Sequence, residues 1–231
     1  MEYFHVTAKE SITSAEHRAT NIITPKGTAP LVDRTWNTTA EFGGGWVGPL
    51  CRLTGGPGNG PCFDFDSNSG IKNFNGFDTP ALGGAVTYFV VAKVRMFNPS
   101  SVTTNYLLAS GAGSKLTVRP SLVNGTRRLT ISTTTIEANL PVDDAFDAGR
   151  FSTLIFVLDG SSSRIKIGNY PVIALPLEPH IYRGLIVGRW YLNRESGPGF
   201  DGLISEWGMF NRALDQTEMN NLFVSLSKNL N

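Results

Sequence analysis

Long apolar runs are missing from this 231-residue chain, and none approaches the roughly 18–20 residues that a membrane-spanning helix requires. Charge is sparse and carries no dominant sign. Charged residues make up 17% of the chain, 20 basic against 19 acidic, for a formal net charge of +1. The basic footprint of a nucleic-acid or anionic-membrane binder is therefore absent, and neither nucleic acid nor membrane insertion is expected. Cysteine and histidine are scarce too: Cys51 and Cys62 form no C-x-x-C, and His5, His17 and His180 lie far apart. A cysteine or histidine metal site is not expected on those grounds. There is no G-x-S-x-G, no P-loop and no dinucleotide fingerprint after a strand, which removes the commonest hydrolase and nucleotide chemistries. Residues 1–5 show no basic stretch leading into an apolar one, so no secretory signal is read there.

What the chain does have is 41% hydrophobic residues with 25 Gly and 13 Pro, a balance that favours short strands joined by tight turns. Residues 1–45 lack sustained periodicity but hold Ile22, Ile23, Leu31, Val32 and Trp36, too apolar for a free tail. They are expected to form an extended arm or irregular edge docked on this domain or on a neighbouring subunit, with residues 46–231 as one domain. Cys51 and Cys62 flank a Gly/Pro-rich stretch, and both a short disulfide loop and a pair of free thiols remain open. From residue 62 strand signals follow regularly. Residues 62–66 alternate by two; residues 87–96 are β-branched and aromatic on both faces; short strands are read at 105–110, 115–119 and 128–133. Residues 151–158 and 164–168 make the clearest hairpin, turned by Asp159-Gly160-Ser161-Ser162-Ser163. A strand at 184–188 leads into a loop at 189–199, and residues 200–210 resume the β pattern. The spacing predicts one helix over 215–230. Asp215 and Glu218 form its capping box, and Met219, Leu222, Phe223, Leu226 and Leu230 form one apolar stripe.

The order of these segments resembles laminin-G-like and concanavalin A-like jelly-roll domains. The resemblance runs from about Pro49 to the end. It rests on Pro61, Phe63 and Asp64, on the strand from Tyr88 to Val94, on the Asp159-Gly160 hairpin, and above all on Phe200-Asp201-Gly202-Leu203-Ile204-Ser205-Glu206 followed by Asn211-Arg212-Ala213-Leu214 and Glu218. It implies an all-β, antiparallel two-sheet β-sandwich with an irregular N-terminal arm and one C-terminal helix. Gly202 is expected to allow a close backbone approach, Ile204 with Trp207 or Phe210 to supply core, and Asn211 and Arg212 to cap a corner. The residues that carry the likeness are scaffold, so they speak to fold more than to function.

The long irregular start and the lack of a signal resemble bacteriophage modules built into capsids, tails or fibres. This implies a non-catalytic virion structural protein, assembled in the host cytoplasm, contacting neighbouring virion proteins and forming a homo-oligomer. The alternative is an extracellular, lectin-like module that binds a cell-surface glycan. Its candidate site is the loop carrying Trp190, Tyr191, Asn193 and Arg194, where aromatic rings can stack on sugar faces while polar groups orient them. A third reading, a glycoside hydrolase, needs paired carboxylates on one face, roughly 5–5.5 Å apart in a retaining enzyme. Glu206 has Ile204 and Gly208 at the positions two residues away, and Asp66 runs from Asp64 straight into a turn. No catalytic residue is assigned. No cofactor is called for, although Asp64, Asp66 and Asn68 offer alternating oxygen ligands of the kind calcium prefers. Asp143, Asp144 and Asp147 read as a solvated loop, and the sequons at Asn37 and Asn124 carry no weight in a Thr-rich chain.

Overall fold

The structure is a computed structural model and describes residues 2–11, 17–18, 50–65, 77–78, 84–99, 107–110, 116–132, 137–142, 149–175, 185–187, 200–228 and 230. Its strands in chain order are β1 (Glu2–Thr7), β2 (His17–Arg18), β3 (Leu50–Arg52), β4 (Cys62–Phe65), β5 (Phe77–Asp78), β6 (Val86–Val94), β7 (Asn98–Pro99) and β8 (Leu108–Ser110). They continue as β9 (Thr117–Val123), β10 (Thr126–Ser132), β11 (Glu137–Pro141), β12 (Ser152–Leu158), β13 (Arg164–Ile167), β14 (Ile173–Ala174), β15 (Leu185–Val187) and β16 (Gly202–Phe210). A short helix α1 (Ala8–Ser11) follows β1, and α2 (Gln216–Ser227) closes the fold.

Among the described residues the strands form two sheets. The larger has nine strands in the order β14-β13-β12-β6-β16-β4-β3-β2, with β1 also paired to β16; the smaller has seven, β11-β10-β9-β8-β15-β5, with β7 beside β9. Every pairing is antiparallel except β7 with β9. This is the two-sheet sandwich that the resemblance implies.

The period of two explains the layers. Val86, Tyr88, Val90, Ala92 and Val94 of β6 enter the core between the sheets together with Leu154, Phe156 and Leu158 of β12. The intervening Phe89, Val91, Ile155 and Val157 point to the other face, where Met219 and Leu226 of α2 cover them. The central strands are apolar on both faces because both faces are covered. Strand β16 keeps Ile204, Trp207 and Met209 in the core although the spacing is uneven. A register shift between Ile204 and Glu206 supplies the reason, since a β-bulge there resets which side chains face inward. Phe210 instead packs beside the helix.

Gly202 is needed at a tight approach. A Cβ there would lie 2.3 Å from the Lys93 carbonyl oxygen and 2.6 Å from a Phe200 ring carbon. The corner after β16 is tied down from two sides. Thr87 Oγ1 donates to the Arg212 carbonyl at 2.8 Å and accepts from the Leu214 N–H at 3.0 Å, while Arg164 Nε donates to the Leu214 carbonyl at 3.1 Å. Helix α2 starts at Gln216, behind its cap Asp215, whose carboxylate accepts from the Glu218 N–H at 2.8 Å while the Glu218 carboxylate accepts from the Asp215 N–H at 2.9 Å. It stops at Ser227, short of the predicted 230.

The segment from Glu2 to Thr7 belongs to the large sheet, and α1 follows it. Strand β1 pairs with β16 from residue 206 onward, filling the edge that β4 occupies at residues 202–204. Ala8 lies in the core, and His5 donates to or accepts from Glu206 across 2.7 Å and meets the Phe89 ring edge-on at 5.2 Å. No described helix is long and apolar enough to cross a membrane.

Candidate functional site

The outer face of the large sheet is not wholly covered by α2. Beside the helix it opens into a cleft of about 830 Å³. Its floor is the end of β6 and the start of β12, with Lys93, Ser152 and Thr153. One wall is the glycine loop at residues 55–58, the opposite one the turn at residues 168–171, and the C-terminal part of α2 closes the end with Phe223 and Ser227.

Each wall is fixed by its own sequence. The run Gly55-Gly56-Pro57-Gly58-Asn59-Gly60-Pro61 folds back on itself through Gly56 N–H to Gly60 O at 2.8 Å and Gly60 N–H to Pro57 O at 3.0 Å. Gly55 adopts φ +98° and Gly58 φ +57°, conformations that cost an L-residue. At Gly56 a Cβ would fall 2.4 Å from the Pro61 carbonyl oxygen, so no larger residue fits. The turn after β13 is held by Gly168 N–H to Thr153 O at 2.8 Å and Tyr170 N–H to Ile167 O at 3.0 Å. Lys166 locks that turn to the helix: Nζ donates to the Tyr170 carbonyl at 2.9 Å and sits 4.5 Å from the centroid of the Phe223 ring. Burial pulls the Lys166 pKa below the ordinary lysine value.

The chemistry of the cleft is aromatic, hydroxylic and cationic. Phe151 and Tyr170 line it with partly buried rings that also pack on the hydrophobic clusters, Asn169 is exposed, and Lys93 and Arg150 contribute positive charge. No Asp or Glu is among the described residues that line it. Thr153 Oγ1 and Ser227 Oγ are buried with no hydrogen-bond partner among the described residues.

A second polar cluster lies on the same sheet. Asp64, with its side chain 1% exposed, accepts from Arg95 Nη2 at 2.5 Å and from Arg52 Nε. Arg95 also donates from Nε to Asp201 at 2.6 Å and from Nη2 to the Phe65 carbonyl at 2.9 Å. Arg95 is thereby held above the ordinary arginine pKa: burial acts to lower it, and the hydrogen bonds and charges of Asp64 and Asp201 outweigh that. This clasp joins β3, β4 and the two ends where β6 and β16 meet. Asp64, a sequence candidate for calcium, thus spends both carboxylate oxygens on guanidinium groups, a neighbourhood that repels a dication. Asp66 and Asn68 lie outside the described residues, as do Asp143, Asp144 and Asp147. No group of three or more His, Cys, Asp or Glu among the described residues is arranged to hold a metal ion.

Glu206 faces outward beside His5, not beside a second carboxylate. Cys62 is a free, buried thiol whose pKa is pushed up to about 11, first by burial and then by the charge of Asp64. The ladder explains why it is not joined to Cys51: Cys51 pairs with Phe63 and Cys62 with Arg52, one step out of register. The aromatic loop with Trp190, Tyr191, Asn193 and Arg194 lies outside the described residues, and none of the described residues that line the cleft belongs to it. Its lining comes from segments around residues 55, 93, 150, 170 and 225, and sequence reasoning missed it. The signal that was there is the concentration of glycine between two prolines at residues 55–61.

No protein-family model matches the chain, and no curated protein matches it either. Solved structures do. The sialidase of Trypanosoma rangeli, in complex with sialic acid, aligns over 97% of this chain and 33% of its own with 12% identity and a TM-score of 0.50. Domain 4 of AbnA, a GH43 extracellular arabinanase from Geobacillus stearothermophilus, in complex with arabinotriose, aligns over 71% of this chain and 77% of its own with 15% identity and a TM-score of 0.47. The chain thus spans about a third of the sialidase's length. At such identities the likeness is one of fold, a jelly-roll-like β-sandwich consistent with the concanavalin-like architecture.

Proposed function

We propose that this chain is a non-catalytic, glycan-binding β-sandwich module that takes its ligand in the cleft between the glycine loop, the turn after β13 and helix α2. The observation that carries the reading is the cleft itself. Its volume of about 830 Å³ suits a few sugar rings, its walls are held in place before any ligand arrives, and it sets aromatic faces beside hydrogen-bonding groups. The exposed parts of the Phe151 and Tyr170 rings would meet the apolar faces of sugars, and Asn169 would answer their O–H groups.

What supports a binding role over catalysis is the state of the described carboxylates. The buried acids Asp64 and Asp201 are committed to arginines, Glu206 to His5, and none lines the cleft. A virion-borne module and an extracellular one would present the same cleft, so the reading holds for either location. The test is a glycan microarray probed with the labelled protein and with Asn169→Ala and Phe151→Ala variants. The expected result is binding to a restricted group of glycans, weakened in both variants while their melting temperatures stay within a few degrees. Binding that ignores both substitutions, or none across a broad array, would contradict it.

A further inference from the structure

We propose that the cleft selects acidic glycans, those bearing carboxylate or sulfate groups, and that Lys93 and Arg150 make the selection. This rests on the glycan-binding reading above and names the ligand class of the same site.

The first ground is electrostatic. The chain as a whole is nearly neutral, at +1, yet two cations line this cleft and no described acid does. Lys93 projects from the outer face of β6, half-buried, and Arg150 stands exposed at the entry to β12. Neither forms an ion pair with a described carboxylate. The acids closest in the sheet are spoken for. Asp64 lies on β4, two strands from Lys93 through Leu203, and is claimed with Asp201 by Arg52 and Arg95, a cluster with no net charge to offer. No described acid therefore cancels the positive potential of the cleft, and a half-enclosed site between protein walls screens it less than open surface does.

The second ground is independent of charge. Thr153 Oγ1 on the floor and Ser227 Oγ on the helix wall are both buried without a hydrogen-bond partner among the described residues, and both residues line the cleft. A buried hydroxyl left unpaired is costly, and native structures carry few of them without a reason. Both side chains would have to turn toward the cleft to reach a ligand; an oxyanion there would then accept from them as well as from Lys93 and Arg150, and charge-assisted bonds are the stronger kind. A neutral sugar entering the same space would partly desolvate Lys93 and Arg150 and leave them without counter-charge.

The experiment is titration calorimetry with matched pairs that differ only in charge: tetragalacturonate against its methyl ester, 3′-sialyllactose against lactose, and a sulfated chondroitin tetrasaccharide against its desulfated form. Each is run at low and at moderate NaCl with the wild type, Lys93→Gln and Arg150→Gln; Arg150 is exposed, so its variant puts folding at little risk. The expected result is that the acidic member of at least one pair binds about tenfold or more tighter than its partner, weakens with salt, and loses that preference in either variant. Equal or tighter binding of the neutral members in the cleft would overturn the acidic selection and leave the glycan-binding reading standing. An acidic preference untouched by both substitutions would place selection elsewhere and also overturn the proposal. Failure of every member of every pair to bind would bring down both.

Discussion

Replacing Asp64 by Asn asks whether the clasp on the large sheet stabilises the fold as the geometry indicates. The carboxylate is 1% exposed and is the shared acceptor of Arg52 and Arg95, whose side chains are 36% and 34% exposed. Removing one partner of a fully buried ion pair costs about 3–5 kcal/mol, because the other charge is left uncompensated. Here the guanidiniums can partly rehydrate, and Arg95 keeps Asp201 and the Phe65 carbonyl. The expected loss is therefore smaller, about 2–3 kcal/mol. It is read as the shift in the urea midpoint at neutral pH. Pairing Asp64→Asn with Arg52→Gln in a double-mutant cycle should show the two losses falling short of additive by about 1 kcal/mol. A loss below about 0.5 kcal/mol for Asp64→Asn, in the range of ordinary surface substitutions, would refute the idea that this clasp holds β4 to β6 and β16.

Other consequences can be checked alongside. Met219 is fully buried between α2 and the outer face of β6 and β12, so Met219→Ala should cost about 2–5 kcal/mol in denaturant unfolding; a loss below 1 would mean that α2 is not docked as described. Glu218 is held at about pKa 2 by its hydrogen bonds with Arg212 and the Asp215 N–H, below the unfolded value of about 4.3. Its contribution is fully present above the unfolded value and lost as pH falls through the folded one. The melting-temperature gap between wild type and Glu218→Gln should therefore be steady above about pH 5 and close toward pH 2, and a gap that is flat across that range would contradict it. Cys62, with its thiol pushed up to about 11, should resist iodoacetamide at pH 8 in a Cys51→Ser background until the protein is unfolded; rapid labelling of the folded protein would count against its burial. Because Asp64 faces two arginines, millimolar calcium and excess EDTA should give the same melting temperature, and a calcium-dependent rise of several degrees would reopen that site.

The sandwich was legible because its central strands are long and its alternation strong. Residues 87–96 and 151–158 carry apolar side chains on both faces, and the stripe from Met219 to Leu226 says what covers the outer one. Local reading failed where the determining partner is remote. Strand β1 looks like part of an irregular arm because its mate, β16, lies some two hundred residues on. The bulge after Ile204 is invisible in a pattern that merely appears uneven. Asn124-Gly125 opens a sequon, yet with φ of 51° and 76° it forms the tight turn between β9 and β10, a hairpin signal that the dipeptide itself announces. Spacing by two made Asp64 and Asp66 resemble cation ligands, whereas Arg95, thirty-one residues later, decides what Asp64 does. The cleft escaped notice for the same reason: Lys93, Arg150 and Ser227 are unremarkable in sequence and gain meaning only when β6, β12 and α2 converge.

The most direct test of the central claim is to record amide NMR shifts of the labelled protein while titrating in a glycan chosen from the microarray. The account requires the largest changes at Gly55, Gly56 and Gly58, at Gly168, Asn169 and Tyr170, and at Lys93, Arg150 and Ser227, the groups that surround the cleft. Shifts that cluster instead around Trp190 to Arg194, or on the outer face of the smaller sheet with the cleft unmoved, would contradict it.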